Sequence, residues 1–141
     1  MRVSTKTRYG LRALVELARH YRDEPVKRLL LSENQGIPLP YLENILTALR
    51  IAGLIETRRG ARGGLILASP PEAINLLSIF NILEGSLAPA PCADDSEPCQ
   101  RENGCPTRRV WEQLKEAQEQ VLKGITLADL LDDSEPRDFS I

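Results

Sequence analysis

Apolar residues recur along much of this chain at the three- and four-residue spacing that places them on one face of a helix. Leu11, Leu14, Leu17 and Ala18 form the first stripe. Ser4 or Thr5 stands where a cap is needed, so a first helix is expected to about Tyr21. Asp23-Glu24-Pro25 breaks it. Leu29-Leu30-Leu31 opens a second helix that stops at Gln35-Gly36, the glycine suiting a left-handed C-terminal cap. Pro40 fits the first turn of a third helix, where its missing N–H costs nothing, and Gly53 stops that helix after about Ala52. Leu42, Ile45, Leu46 and Leu49 form its buried stripe, which leaves Tyr41, Glu43, Asn44, Thr47, Ala48 and Arg50 facing outward.

The period then changes. Leu54-Ile55-Glu56-Thr57 and Leu65-Ile66-Leu67 are short β-prone runs around Arg58-Arg59-Gly60-Ala61-Arg62-Gly63-Gly64, the pattern of a hairpin. A fourth helix is expected from Leu76 to Glu84, capped by Asn75, and residues 86–104 carry no period at all. A long helix should start at Cys105-Pro106 and reach Lys123. In it Val110, Leu114, Ala117 and Val121 follow the spacing of a coiled-coil seam, with Trp111 and Leu122 as a second apolar edge. Thr126 caps a short terminal helix carrying Leu127, Leu130 and Leu131, and the polar tail from Ser134 should fray.

The expected fold is therefore mostly α with a small β-hairpin wing: a winged helix–turn–helix plus a long dimerisation helix. The expected organisation is a DNA-binding domain over residues 1–85, a cysteine loop over 86–105, the dimerisation helix and short terminal helix over 106–133, and a flexible tail over 134–141.

Charge sharpens this picture. The net charge of −2 conceals two unlike halves. Residues 1–67 hold twelve Lys/Arg against six Asp/Glu, and the remainder holds six against fourteen. A basic half suits a polyanion; two ordinary solvated surfaces would look the same in composition. No stretch approaches the roughly 20 apolar residues that span a bilayer, and no apolar signal region follows Met1-Arg2-Val3-Ser4-Thr5-Lys6. A cytoplasmic protein with no membrane partner is expected.

A helix that enters a major groove needs one face locked into a core and its N-terminal end free. The third helix meets that requirement. Pro40 and Tyr41 lie at that end, Tyr41 within reach of a phosphate. Asn44 can pair with adenine, Glu43 can accept from cytosine N4, and Arg50 adds charge. In the hairpin tip, Arg59 and Arg62 suit phosphate or a narrow minor groove, and Gly63 allows close backbone approach. Arg2, Lys6 and Arg8 flank the start of the first helix, whose free N–H groups favour phosphate. Double-stranded DNA is the expected partner. The alternative is a small helical domain with a Gly/Arg turn.

The three cysteines, Cys92, Cys99 and Cys105, all fall within the expected loop. An odd, clustered set in a cytoplasmic chain argues against a disulfide framework. Zinc sites favour pairs at C-x2–4-C spacing, which this loop lacks, whereas three wide-spaced thiolates can wrap an iron–sulfur cluster. A redox disulfide pair with a spare thiol, or an acidic loop without a ligand, fits the spacing too. No Ser/His/Asp or Cys/His arrangement and no phosphate-binding glycine loop is present, so neither an enzyme nor a small-molecule substrate is expected. An interaction module for an enzyme of sulfur metabolism is a third reading.

Several of these segments together resemble the Rrf2 family of bacterial transcription regulators, in particular its IscR-like members. They are Met1-Arg2-Val3-Ser4-Thr5-Lys6 with Arg8-Tyr9, Ser32-Glu33-Asn34-Gln35-Gly36-Ile37, Tyr41-Leu42-Glu43, Leu49-Arg50 with Gly53-Leu54, the Arg59–Gly64 wing, and the cysteine loop before a Trp-containing helix. The resemblance implies a homodimer that binds promoter operators. It carries Cys92, Cys99 and Cys105 over as ligands of a [2Fe–2S] or [4Fe–4S] cluster that senses iron–sulfur status, nitric oxide or redox state. Two positions depart from it. Arg108 stands where the IscR-like pattern has a histidine, and Arg8 where some nitric-oxide sensors have an acidic ligand. His20, Asp94, Asp95, Glu97 and Glu102 are the remaining candidates within the chain for a fourth ligand. A thiol-redox or zinc-dependent regulator of the same fold is the runner-up.

Overall fold

The computed structural model describes residues 2–94 and 104–132. Its elements are α1 (Thr5–Arg19), α2 (Arg28–Gln35), α3 (Leu39–Ile51), β1 (Ile55–Arg58), β2 (Gly64–Leu67), α4 (Leu76–Leu83), α5 (Arg108–Lys123) and α6 (Leu127–Asp132). Short 3-10 turns lie at Pro71–Ala73 and Pro91–Ala93. This is the expected mostly helical fold with a two-stranded antiparallel wing.

Helix α1 runs through the core and buries Ala13, Leu14, Leu17 and Ala18. Gly10 lets it approach α4 and α3 closely: a Cβ there would lie 2.3 Å from Leu83 Cδ1 and 3.2 Å from Ile45 Cγ2. The helix ends at Arg19, short of the expected Tyr21. The His20 and Tyr21 N–H groups turn back to the Leu17 and Ala18 carbonyls, and Arg22 takes a left-handed φ of 73°. At the other end the Ser4 hydroxyl accepts from Thr7 N at 3.2 Å. Glu84, just past α4, accepts from the Ser4 hydroxyl at 2.7 Å, from Ser4 N at 3.2 Å and from the Thr7 hydroxyl.

Helix α2 ends as expected on Gly36, at φ 64°. Its Leu29-Leu30-Leu31 run is not a buried block, since only Leu31 is buried and the other two are exposed. Three successive residues spread over most of a helical turn and cannot all face one core. Helix α3 buries the stripe expected of it. In the wing Ile55 pairs with Leu67, Glu56 with Ile66, Thr57 with Leu65 and Arg58 with Gly64. One strand-like contact had no periodic signal: Val26 bridges Leu65, with N–O distances of 3.0 and 2.8 Å.

The carboxyl-terminal part divides between the core and the surface. Leu127 of α6 is fully buried, and its N–H donates to Ile74 O at 3.0 Å, so α6 shares the core of α1–α4. Helix α5 packs against α4 and the Pro91–Ala93 turn but buries no residue completely. It begins at Arg108 rather than at Cys105-Pro106, with Thr107 as its cap. Val110, Leu114 and Val121 are exposed, Ala117 is exposed beside them, and Trp111 and Leu122 are half-buried. Within the stretch that lacked a period, the Pro91–Ala93 turn is ordered structure. Residues 95–103 and the expected flexible tail at 134–141 lie outside the described residues.

The α1–α4 clamp gives a pH signature. The Thr7 hydroxyl first of all, and then the Ser4 hydroxyl and N–H, hold the Glu84 carboxyl below its ordinary 4.5, against the opposing effect of partial burial. A depressed carboxyl stabilises the fold above its unfolded pKa and loses that contribution as pH falls through the folded one. Glu84→Gln should therefore melt below wild type at about pH 7, with the gap closing toward about pH 3. A gap that stays constant across thermal melts over that range would show that charge is not what matters there.

Candidate nucleic-acid interface and cysteine region

Locking Leu42, Ile45, Leu46 and Leu49 into the core turns the rest of α3 outward. Pro40, Tyr41, Asn44, Thr47 and Arg50 are exposed, and Glu43 and Ala48 are half-buried. The N-terminal end of α3 is braced from α1: the Tyr9 ring meets Tyr41 edge-on at 5.8 Å, and the Arg12 guanidinium lies 5.4 Å from the Tyr9 centroid. Glu43 is not a free carboxylate. Arg28 Nη1 donates to Glu43 Oε2 at 3.1 Å, while Arg28 Nη2 donates to Thr57 Oγ1 at 3.3 Å.

The wing carries the exposed Arg59 and Arg62 at its tip. Lys27 braces the tip by donating to Ala61 O at 2.8 Å. Gly63 proves to be buried inside the hairpin. A Cβ there would stand 2.2 Å from Arg58 O, so its glycine is needed for the hairpin to close. At Gly64 a Cβ would stand 2.5 Å from Val26 O, so that glycine is needed for Val26 to pair with the wing.

Arg2 is exposed and Lys6 half-buried near the start of α1. Of the N–H groups at that end, Thr7 N donates to the Ser4 hydroxyl and Ser4 N to the Glu84 carboxylate, so a phosphate there would face a negative group. Arg8 is exposed and donates to Thr5 Oγ1 at 3.1 Å. Sequence reasoning missed Tyr9, Val26, Lys27 and Arg28 as supports of this surface. Lys27 and Arg28 contribute to the positive half, but their partners are distant in sequence.

Cys92 lies in the Pro91–Ala93 turn that packs on α5, and Cys105 lies two residues before the Thr107 cap, its sulfur 3.2 Å from Thr107 Oγ1. Both are half-buried, and Cys99 lies outside the described residues. Among the described residues no three His, Cys, Asp or Glu side chains gather as a metal site. Arg108 pairs with Glu112 at 2.9 Å, and His20 follows α1 and lines the same open pocket as the hairpin residues Glu56 and Arg58. Asp94 is half-buried, and Asp95, Glu97 and Glu102 fall outside the described residues. Sulfur donors suit an iron–sulfur cluster, zinc or copper(I), and Cys92 and Cys105, both half-buried, stand on segments that border α5.

A helix with one locked face beside an arginine-tipped hairpin defines a winged helix–turn–helix transcription regulator. The Rrf2 family model, described as iron-dependent transcriptional regulator, matches residues 3–133. The HTH-type transcriptional regulator CymR of Bacillus subtilis is 37% identical over 92% of this chain and 89% of its own length. The solved structure of IscR from T. potens superimposes with a TM-score of 0.81 at 40% identity, over 100% of this chain and 93% of that one. The structure titled CymR, the global cysteine regulator of B. subtilis, does so at 0.82 and 33% identity, over 96% and 99%. The chain belongs to the Rrf2 family of transcriptional regulators, which are not enzymes. No helix among the described residues is long and apolar enough to cross a membrane.

The steric role of Gly63 yields a direct test. Gly63→Ala should destabilise the protein by about 1–3 kcal/mol in chemical denaturation, through overpacking against the Arg58 carbonyl. A neutral result would mean that the tip relaxes at no cost.

Proposed function

We propose that this regulator binds duplex DNA as a homodimer in the cytoplasm and adjusts that binding through an iron–sulfur cluster held by Cys92, Cys99 and Cys105. The observation that carries the DNA reading is the exposed face of α3 lying beside the basic wing, both fixed by one core. In this reading α3 enters the major groove from Pro40 onward. Tyr41 and Arg50 contact phosphates and Asn44 reads adenine. Arg59 and Arg62 grip phosphates or the minor groove, and Arg2 and Lys6 add outer phosphate contacts. Gly63 serves by shaping the tip.

The exposed seam of Val110, Leu114, Ala117 and Val121 supports self-association, because a stripe of this spacing in water gains by burial against a second copy. A symmetric dimer sets two recognition helices about 34–36 Å apart, one turn of DNA. The cysteine loop joins α4, whose end clamps α1, to α5, which bears the seam. Order in that loop therefore bears on both the DNA-binding core and the dimer geometry. When bound, the cluster supplies a group that reacts to iron–sulfur supply, redox state or nitric oxide. Arg8 and Arg108 are cations and cannot serve as its fourth ligand. The second reading, direct thiol sensing, is favoured by the similarity to CymR, titled a cysteine regulator.

Two experiments test this reading. Arg59→Ala and Arg62→Ala should weaken binding on every duplex and flatten the dependence of log K on log salt by about one phosphate contact each. Asn44→Ala should instead change base preference, at about 1–3 kcal/mol. Wing changes that alter base preference while Asn44→Ala leaves it untouched would overturn this docking. For the sensor, an anaerobic native mass spectrum should show a dimer carrying iron and sulfide, lost together in a Cys92/Cys99/Cys105→Ala variant. An iron-free dimer would overturn the cluster, free thiols then favouring the second reading and bound zinc a zinc-dependent regulator.

A further inference from the structure

We propose that Arg28 sets the base preference of the recognition helix by holding the Glu43 carboxylate against the protein and away from the duplex. The inference rests on the reading of α3 as the groove-entering helix. Glu43 is the sole acidic residue of α3 and lies between Tyr41 and Asn44 on the turn that would meet the bases. A free carboxylate there has two effects: it repels phosphate, and it offers cytosine N4 an acceptor.

The geometry keeps both effects in check. Arg28 is the first residue of α2, and its planar guanidinium is a fork with one arm on each of two elements. Nη1 lies 3.1 Å from Glu43 Oε2 and 3.5 Å from Oε1, while Nη2 lies 3.3 Å from Thr57 Oγ1 on β1. Holding the guanidinium from α3 and β1 at once restricts its rotation, which a lone surface ion pair does not achieve. Both side chains remain 37% exposed, so the pair sits at the surface that the duplex would approach rather than in the core. With Arg28 in place the Glu43 charge is offset and its carboxylate is engaged by the guanidinium. The reading face is then Tyr41 and Asn44.

Two other roles for Arg28 would look alike in a single variant: a phosphate contact of its own, or a simple brace between helix and wing. A double-variant cycle separates them. Affinity and salt dependence are measured on a duplex selected by the wild type from a randomised library, and each variant is then used to repeat the selection. Arg28→Ala should bind roughly tenfold more weakly and newly enrich cytosine at one position of each half-site. Arg28→Lys should restore much of the affinity. Glu43→Gln should stay within about twofold of wild type or bind more tightly, and Arg28→Ala should then cost almost nothing in the Glu43→Gln background.

An undiminished Arg28→Ala penalty in that background overturns the proposal in favour of a phosphate contact, which does not need the carboxylate, and a Glu43→Gln variant that binds as weakly as Arg28→Ala overturns it in favour of a brace, whose α3 end is that carboxylate. Unchanged selection profiles overturn it as well. Thermal melts of all four proteins keep loss of folding from passing as loss of binding. Should the wild type show no salt-dependent duplex binding, the DNA reading falls and this inference with it, an outcome visible before any variant is compared.

Discussion

The burial of one face of α3 governs the rest of the molecule. Leu42, Ile45 and Leu49 are fully removed from solvent and Leu46 almost so. Each such side chain contributes about 1.5–3 kcal/mol relative to exposure. The rotational consequence matters more than the energy. Successive residues are about 100° apart around a helix, so pinning four of them fixes the heading of all the others. Tyr41, Asn44, Thr47 and Arg50 point outward because no rotation that buries the stripe would turn them in. Gly10 makes this close packing achievable, since a Cβ there would force the Leu83 and Ile45 side chains to shift.

The wing is held to the same framework by Ile55, Leu65 and Leu67, which are buried in the shared core, and by backbone pairing besides. Val26 pairs with Leu65 as a third strand-like segment, and the glycine at position 64 leaves room for it. The next two residues then act across the surface, Lys27 on the wing tip and Arg28 on both α3 and β1. Residues 26–28, at the entry to α2, thus help to fix the relation between the two parts that would touch DNA. That relation is what a groove-reading protein must hold constant.

The carboxyl-terminal part follows a different logic. Helix α6 returns to the core through Leu127 and through backbone bonds that join Ile74, Asn75 and Leu76 to Ile125, Thr126 and Leu127. Helix α5 instead stays on the surface and shows an apolar seam to water. Cys92 and Cys105 thus lie between α4, whose end is tied to α1, and α5, which packs on α4 and carries the seam.

Much of this architecture was legible along the chain. Helical stripes, the caps at Ser4, Asn75, Gly36 and Thr126, and the Gly/Arg hairpin are local signals, set by interactions within a few residues. The sequence by itself therefore determined the order of elements, the buried face of α3 and the basic character of the wing. Only the tertiary structure decided what those local elements meet. The Val26–Leu65 bridge, the Glu84 clamp on α1, the burial of Gly63 and the Arg28 fork on Glu43 and Thr57 join residues whose partners no periodicity announces. Glu43 shows the difference most clearly. On a helical projection it is an outward-facing acid ready to read a base. In the folded chain a guanidinium from another helix engages its charge, because packing α2 against α3 brings together two residues that are fifteen positions apart in sequence.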